Sequence, residues 1–313
     1  MVKSAWGPVV VGVDASPESS RAAVAGWGIA ERAKVECRLV HGTSEAWAVP
    51  IPPNDASIDP AELNRVAVES AKLLIMQALA PTVPTDALNT LTVRTGRAAV
   101  VIRDAADELG AGLIVLGGKH HSALRRWVVG STAHSIVRTV DVPVLVTTDR
   151  PFPPRRIMVS VDLSSAAAPA IHMGERIAAM FDASLEVLHV VEPVPVAAEV
   201  PLPFYDEECY ARSKEHLERH VWPLVERPGT ALEIRRGTAT EALTSEAAAR
   251  GIDLLIVGSH GKGWVDRILI GSVTERLLSA LPTAVLVVPV VGAAAGTRRA
   301  RTQRAARPNV AEV

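Results

Sequence analysis

The residues best suited to chemistry lie late in the chain. Gly258-Ser259-His260-Gly261 is followed, after nine residues, by Gly271-Ser272-Val273-Thr274. A polyphosphate needs a place where backbone N–H groups converge and no Cβ intrudes. Glycines at a strand end give that access, and a helix N-terminus adds unpaired N–H donors and a favourable dipole. Gly258 closes the apolar run Leu254-Leu255-Ile256-Val257, and Gly271-Ser272 opens a helical pattern, so both conditions are met. Ser272 and Thr274 can add hydroxyl donors. Any one of these glycines alone reads as a tight turn; together, in this order, they read as a phosphate loop. No GxxxxGK[ST] loop is present. Gly261-Lys262-Gly263 follows no first strand and lacks a third glycine at the dinucleotide spacing. Gly26-Trp27-Gly28 fails the same test and falls in a predicted helix.

Asp162 ends another apolar run, where an acid reads as a ligand contact or as the N-cap of the next helix, and both roles can coexist. His216 and His220 share a helix face at a spacing that can hold zinc, but no third ligand is suggested nearby, and a solvated face is expected. His120-His121 reads as a loop feature. His41 and His189 occupy one repeat position at strand ends, which suggests packing or a backbone bond. Cys37 and Cys209 fall at different points of the repeat, so they are read as unpaired packing residues of a reducing compartment. No GxSxG, CxxC or HExxH motif is present.

The elements that must position the loop come as a duplication. Val9-Val10-Val11-Gly12-Val13-Asp14 has its counterpart in Ile157-Met158-Val159-Ser160-Val161-Asp162, and Leu113-Ile114-Val115-Leu116-Gly117 in Leu254-Leu255-Ile256-Val257-Gly258. Gly130-Ser131 matches Gly271-Ser272, and the offset falls from 148 to 141 between the early and late matches. The repeat length is that of a whole domain, about 150 residues. In the second copy, strands are expected near 156–161, 184–191, 230–235, 253–258 and 283–289, with helices near 165–181, 206–226, 239–250 and 272–280. Continuous β-branched and Leu runs suit a sheet covered on both faces, and the alternation implies an α/β, parallel, doubly wound sheet. Asp59-Pro60-Ala61-Glu62 opens a helix of the first copy. The expected divisions are 1–150, 151–292 and an Arg-rich tail at 293–313, with prolines 151, 153 and 154 stiffening the linker. The tail lacks apolar periodicity and is expected to be disordered.

The spacing Gly-x2-Gly-x9-Gly-Ser, behind Leu-Ile-Val and ahead of Val-Leu-Val-Val, resembles the ATP-binding type of universal stress protein. The resemblance extends over both copies. It implies five parallel strands per unit in the order 3-2-1-4-5, with a ligand crevice at the switch point between strands one and four. By that resemblance, Asp162 contacts the ribose or adenine end and Val190 presents backbone to adenine. Gly258, His260 and Gly261 wrap the phosphates, while Gly271, Ser272, Val273 and Thr274 donate to them. Asp14, Gly117, Gly130 and Ser131 are the first-copy counterparts. The strands at 142–148 and 283–290 are hydrophobic edges that invite pairing. The resemblance implies that they pair with each other across a pseudo-two-fold, and further self-association is expected.

The first copy departs at one point: His120 stands opposite Gly261. Were positive φ needed there, His would be penalised where Gly is not, so a weakened or altered first site is expected. Charge is nearly balanced, with 33 basic and 34 acidic residues, so charge alone does not select polyanions. The tail arginines could touch nucleic acid or anionic membrane, but a solubilising appendage is expected. The opening apolar run is too short for a secretory core, and no run reaches a membrane span, so a cytoplasmic protein is expected. The leading expectation is a non-catalytic ATP-binding regulator of stress response, with Mg²⁺ carried on the phosphates. A slow ATPase and an interaction scaffold with vestigial sites are the alternatives.

Overall fold

Runs of β-branched residues form strands wherever both of their faces meet helices. In β1 (Val9–Gly12), Val9 and Val11 join the core on one side of the sheet and Val10 joins it on the other, all fully buried. The computed structural model describes residues 6–43, 59–121, 126–128, 130–192, 203–259 and 271–290. After β1 come α1 (Pro17–Ala33), β2 (Cys37–Thr43), α2 (Pro60–Leu79), a single turn α3 (Thr85–Leu88), β3 (Thr92–Thr95), α4 (Ala98–Leu109) and β4 (Leu113–Gly117). A small hairpin, β5 (Lys119–His121) and β6 (Arg126–Val128), precedes α5 (Ser131–Thr139) and β7 (Val144–Thr147). The second unit runs through β8 (Arg156–Val161), α6 (Ala167–Phe181), β9 (Ser184–Val191), α7 (Pro203–His216), β10 (Ala231–Arg236), α8 (Ala239–Ala249), β11 (Leu254–Gly258), α9 (Ser272–Ala280) and β12 (Ala284–Val288).

The main strands form one sheet of ten, in the order β10-β9-β8-β11-β12-β7-β4-β1-β2-β3. Each unit therefore has the expected order 3-2-1-4-5, and every neighbouring pair is parallel except one. That one is β12 against β7, antiparallel, with Leu286 opposite Leu145. The two hydrophobic edges cover each other within the chain, so two five-stranded sheets become one, related by a local two-fold at this pair. The outer edges are β3 and β10.

Helix starts follow the local chemistry. Ser16 caps α1, its side chain accepting from the Ser19 N–H. Asp59 caps α2 through the Ala61 N–H at 2.9 Å, but Glu62 bonds Arg65 instead of turning back to the cap. The helix expected over 206–226 is broken: α7 passes into a π turn (Leu217–Val221) and a 3-10 turn (Trp222–Leu224). Pro223 has no N–H to continue an α-helical ladder.

Two glycines in equivalent places let helices lie on the sheet. A Cβ on Gly26 would stand 2.3 Å from Val11 of β1, and one on Gly174 of α6 would stand 2.5 Å from Val159 of β8. Two residues beyond Gly26, Gly28 makes room for Phe152 of the linker, whose ring meets Phe181 of α6 edge-on at 5.1 Å between centroids. The linker thus wedges an aromatic ring between the two units. Cys37 is buried on β2 and Cys209 is part-exposed on α7, both as free thiols. Burial, with Glu36 alongside, pushes the Cys37 thiol up to about 12.

Candidate functional site

A doubly wound sheet opens a crevice at the carboxyl ends of its strands, beside the strand where the order reverses. In the second unit this crevice lies among the ends of β8, β9 and β11 and the start of α9. It encloses about 490 Å³, within the range of small-molecule pockets. Asp162, Val190, Gly258, Gly271, Ser272, Val273 and Thr274 all line it. His260 and Gly261, the other expected residues of this loop, lie outside the described residues.

Asp162 is fixed by one oxygen only. Its Oδ1 accepts from the Ser164 N–H at 3.0 Å and from the Ser164 hydroxyl at 2.5 Å, while Oδ2 has no partner among the described residues. The helix that follows is capped at Ala166 without a side-chain bond, so Asp162 shapes the turn before α6 and does not cap it. Beside it, His189 Nδ1 donates to the Val161 carbonyl at 2.8 Å; His41 and Val13 repeat this bond at 2.7 Å. A carbonyl only accepts, so Nδ1 carries the proton. The backbone bond was readable from the repeat; that His189 also lines the cleft was not.

The segment between β11 and α9 is drawn together at its base, where the Gly271 N–H donates to the Ser259 carbonyl at 2.9 Å. The Ser259 N–H in turn donates to Val288 at 2.8 Å, tying the loop to β12. Gly271 provides no side-chain cap for α9, and the first helical bond runs from the Glu275 N–H to the Gly271 carbonyl at 2.9 Å. The N–H groups of Ser272, Val273 and Thr274 precede that bond and have no acceptor within the helix. Thr274 differs from its expected hydroxyl role. Its Oγ1 donates to the Gly258 carbonyl at 2.7 Å, so this proton locks the helix start to the strand end, and Thr274 serves the cleft through its backbone.

One wall was invisible to motif reading. Cys209 and Ser213, one helical turn apart on α7, face the cleft together with Glu192. The Glu192 carboxylate accepts from the Ala239 N–H at 2.9 Å and so supports the start of α8. The spacing of four on an otherwise charged helix was the available signal. No group of three or more His, Cys, Asp and Glu side chains converges among the described residues.

The first unit is built differently. Asp14 Oδ1 accepts from the Ser16 N–H at 2.9 Å, from the Ser19 hydroxyl at 2.6 Å and from the Ser16 hydroxyl, so the carboxylate is drawn into the cap of α1. A Cβ on Gly117 would come within 2.9 Å of the Glu18 backbone, so the start of α1 sits directly on this strand end. Gly130 caps α5 and Ser131 begins it, as their counterparts do for α9. Ala133 replaces Thr274, removing the helix-to-strand lock. His120 lies in β5, paired with Trp127 of β6. The extended hairpin needs no positive φ there, so the expected backbone penalty does not arise. His120 sits instead in a β-hairpin whose second strand lies against α9 of the second unit.

The model of the universal stress protein family matches residues 6–148 and again residues 154–289. The chain belongs to the universal stress protein family. A universal stress protein of Mycolicibacterium smegmatis is 29% identical over 294 residues, spanning 90% of this chain and 96% of that relative. One from Mycobacterium tuberculosis is 27% identical over 291 residues, spanning 89% and 96%. The crystal structure of a universal stress protein from Archaeoglobus fulgidus shares the fold, with a TM-score of 0.62 at 18% identity over 90% of this chain and 98% of that one. This tandem universal stress protein therefore holds two copies of the family unit whose site regions are unequal. Among its described residues, no helix is long and apolar enough to cross a membrane.

Proposed function

We propose that the second unit of this universal stress protein binds ATP, and that ATP acts as a ligand biasing conformation or partner binding in a stress response, without being consumed. One observation carries the reading: Asp162, Val190, Gly258 and the uncapped first turn of α9 converge on a single cleft of suitable size. The ribose hydroxyls would reach Asp162 Oδ2, and adenine would meet the backbone at Val190. The phosphates would lie on the N–H groups of Ser272, Val273 and Thr274, with His260 and Gly261 wrapping them. Mg²⁺ would be held by the phosphates and water. The first unit is the weaker or altered site, because the Ser19 hydroxyl adds a bond to Asp14 and His120, in the β5–β6 hairpin, stands where the second copy has Gly261.

Calorimetric titration of the full chain with Mg-ATP should give one site per chain. Asp162→Ala should weaken binding about tenfold or more, the loss of a charge-assisted bond, whereas Asp14→Ala should change it little. Two equivalent sites would overturn the assignment, as would loss of all binding in Asp14→Ala with Asp162→Ala silent. ATP turnover well above that of the Asp162→Ala control would replace the ligand role with an ATPase.

A further inference from the structure

A second cavity lies at the seam between the units. Helices of a doubly wound unit sit over its inner strands. On the face that carries α1 and α6, the joined edge strands β7 and β12 therefore have no helix of their own. The linker crosses the gap but does not fill it, and about 590 Å³ is left open. Val24, Ile29, Leu145, Phe152, Ile177 and Leu254 form its apolar walls.

Four charged side chains line the cavity. Arg21, in the first turns of α1, and Arg150, on the linker, are both exposed at its lining. The start of α1 contributes Ala15, Pro17 and Ser20 at the same end, with the positive end of its dipole. Against these stand Asp149, which is exposed, and Asp253, whose Oδ2 already accepts from the Arg155 and Arg156 N–H groups at 2.9 and 3.0 Å. The Arg150 guanidinium has no partner among the described residues.

We propose that this seam cavity is a second ligand site, for a small amphipathic carboxylate whose apolar body fills the gap over β7 and β12 and whose head is met by Arg21 and Arg150. The volume suits a molecule of drug size, and the walls come from both units and the linker, so such a ligand bridges the two halves. Its lining shares no residue with the cleft of the second unit.

Calorimetry of the full chain with decanoate, decanol and decylamine tests it. Saturable binding of decanoate at one per chain is expected, tighter than that of decanol or decylamine. Reversing the exposed pair, Arg21→Glu with Arg150→Glu, should weaken decanoate by more than about tenfold and leave decanol unchanged. Val24→Trp, which fills the cavity from α1, should abolish both, with the melting transition retained. No saturable binding by the wild type would overturn the proposal, as would decanol or decylamine binding as tightly as decanoate, or decanoate binding unchanged in the charge-reversed variant.

Discussion

Single residues explain why two copies of one sequence pattern have become unlike. Asp14 and Asp162 occupy one repeat position and each accepts from the serine two residues on through Oδ1, yet Asp14 Oδ1 also takes the Ser19 hydroxyl, while Asp162 lines a cleft. The difference traces to Ser19, which has Ala167 as its counterpart in the second copy. Where the copies agree, the reason is steric. Gly26 and Gly174 face Val11 and Val159 at distances no Cβ can occupy, so Gly174→Val forces helix and sheet apart. Overpacking of this kind costs about 1–3 kcal/mol, and urea unfolding should show it as a lower midpoint. At Gly229, exposed and with nothing near its Cβ position, a substitution is strained by the φ of 77° alone and gives the comparison.

At the scale of elements, a charge network spans β9, β10 and α8. Arg250 bonds Glu186 at 2.7 Å, Glu233 at 2.8 Å and Glu246 at 2.6 Å, and Arg235 joins Glu233 and Glu246. Hydrogen bonds from Arg250 hold Glu233 below its ordinary 4.5; Glu246 is also lowered, where burial opposes but bonds from Arg235 and Arg250 prevail. A carboxylate with a depressed folded-state pKa stabilises the fold above its unfolded value and loses that contribution as pH falls through the folded value. Thermal melts should therefore fall as pH drops below about 4.5, and Arg250→Met should flatten that dependence. Strand positions were legible because buried parallel strands leave continuous apolar runs, and the Gly271-Ser272 helix start was legible because a helix opens there with no side-chain cap. The β5–β6 hairpin was not, since residues 119–128 carry no apolar alternation and aligned only as a damaged glycine loop. Nor was the π turn at Leu217–Val221, which depends on how α7 approaches Pro223, nor the role of Phe152, whose partners are remote in sequence.

For the molecule as a whole, both core layers contain residues of both units, and β7 with β12 makes their sheet continuous. The units should therefore lose structure together. Leu286 is fully buried opposite Leu145, and its truncation to Ala should cost about 2–5 kcal/mol. Hydrogen exchange read separately in β1 and in β8 should show both deprotected by this one change. A shift confined to β8 would mean that the units unfold independently.

The antiparallel seam has a further consequence, for inheritance. Were this sheet assembled from two identical chains, every substitution would appear at both ends, and Ala133 could not stand for Thr274 in one half without doing so in the other. Placing both halves in one polypeptide removes that constraint. One gene position then alters one loop, the partner half is always supplied in equal number, and the two ends of the sheet are free to take up different work.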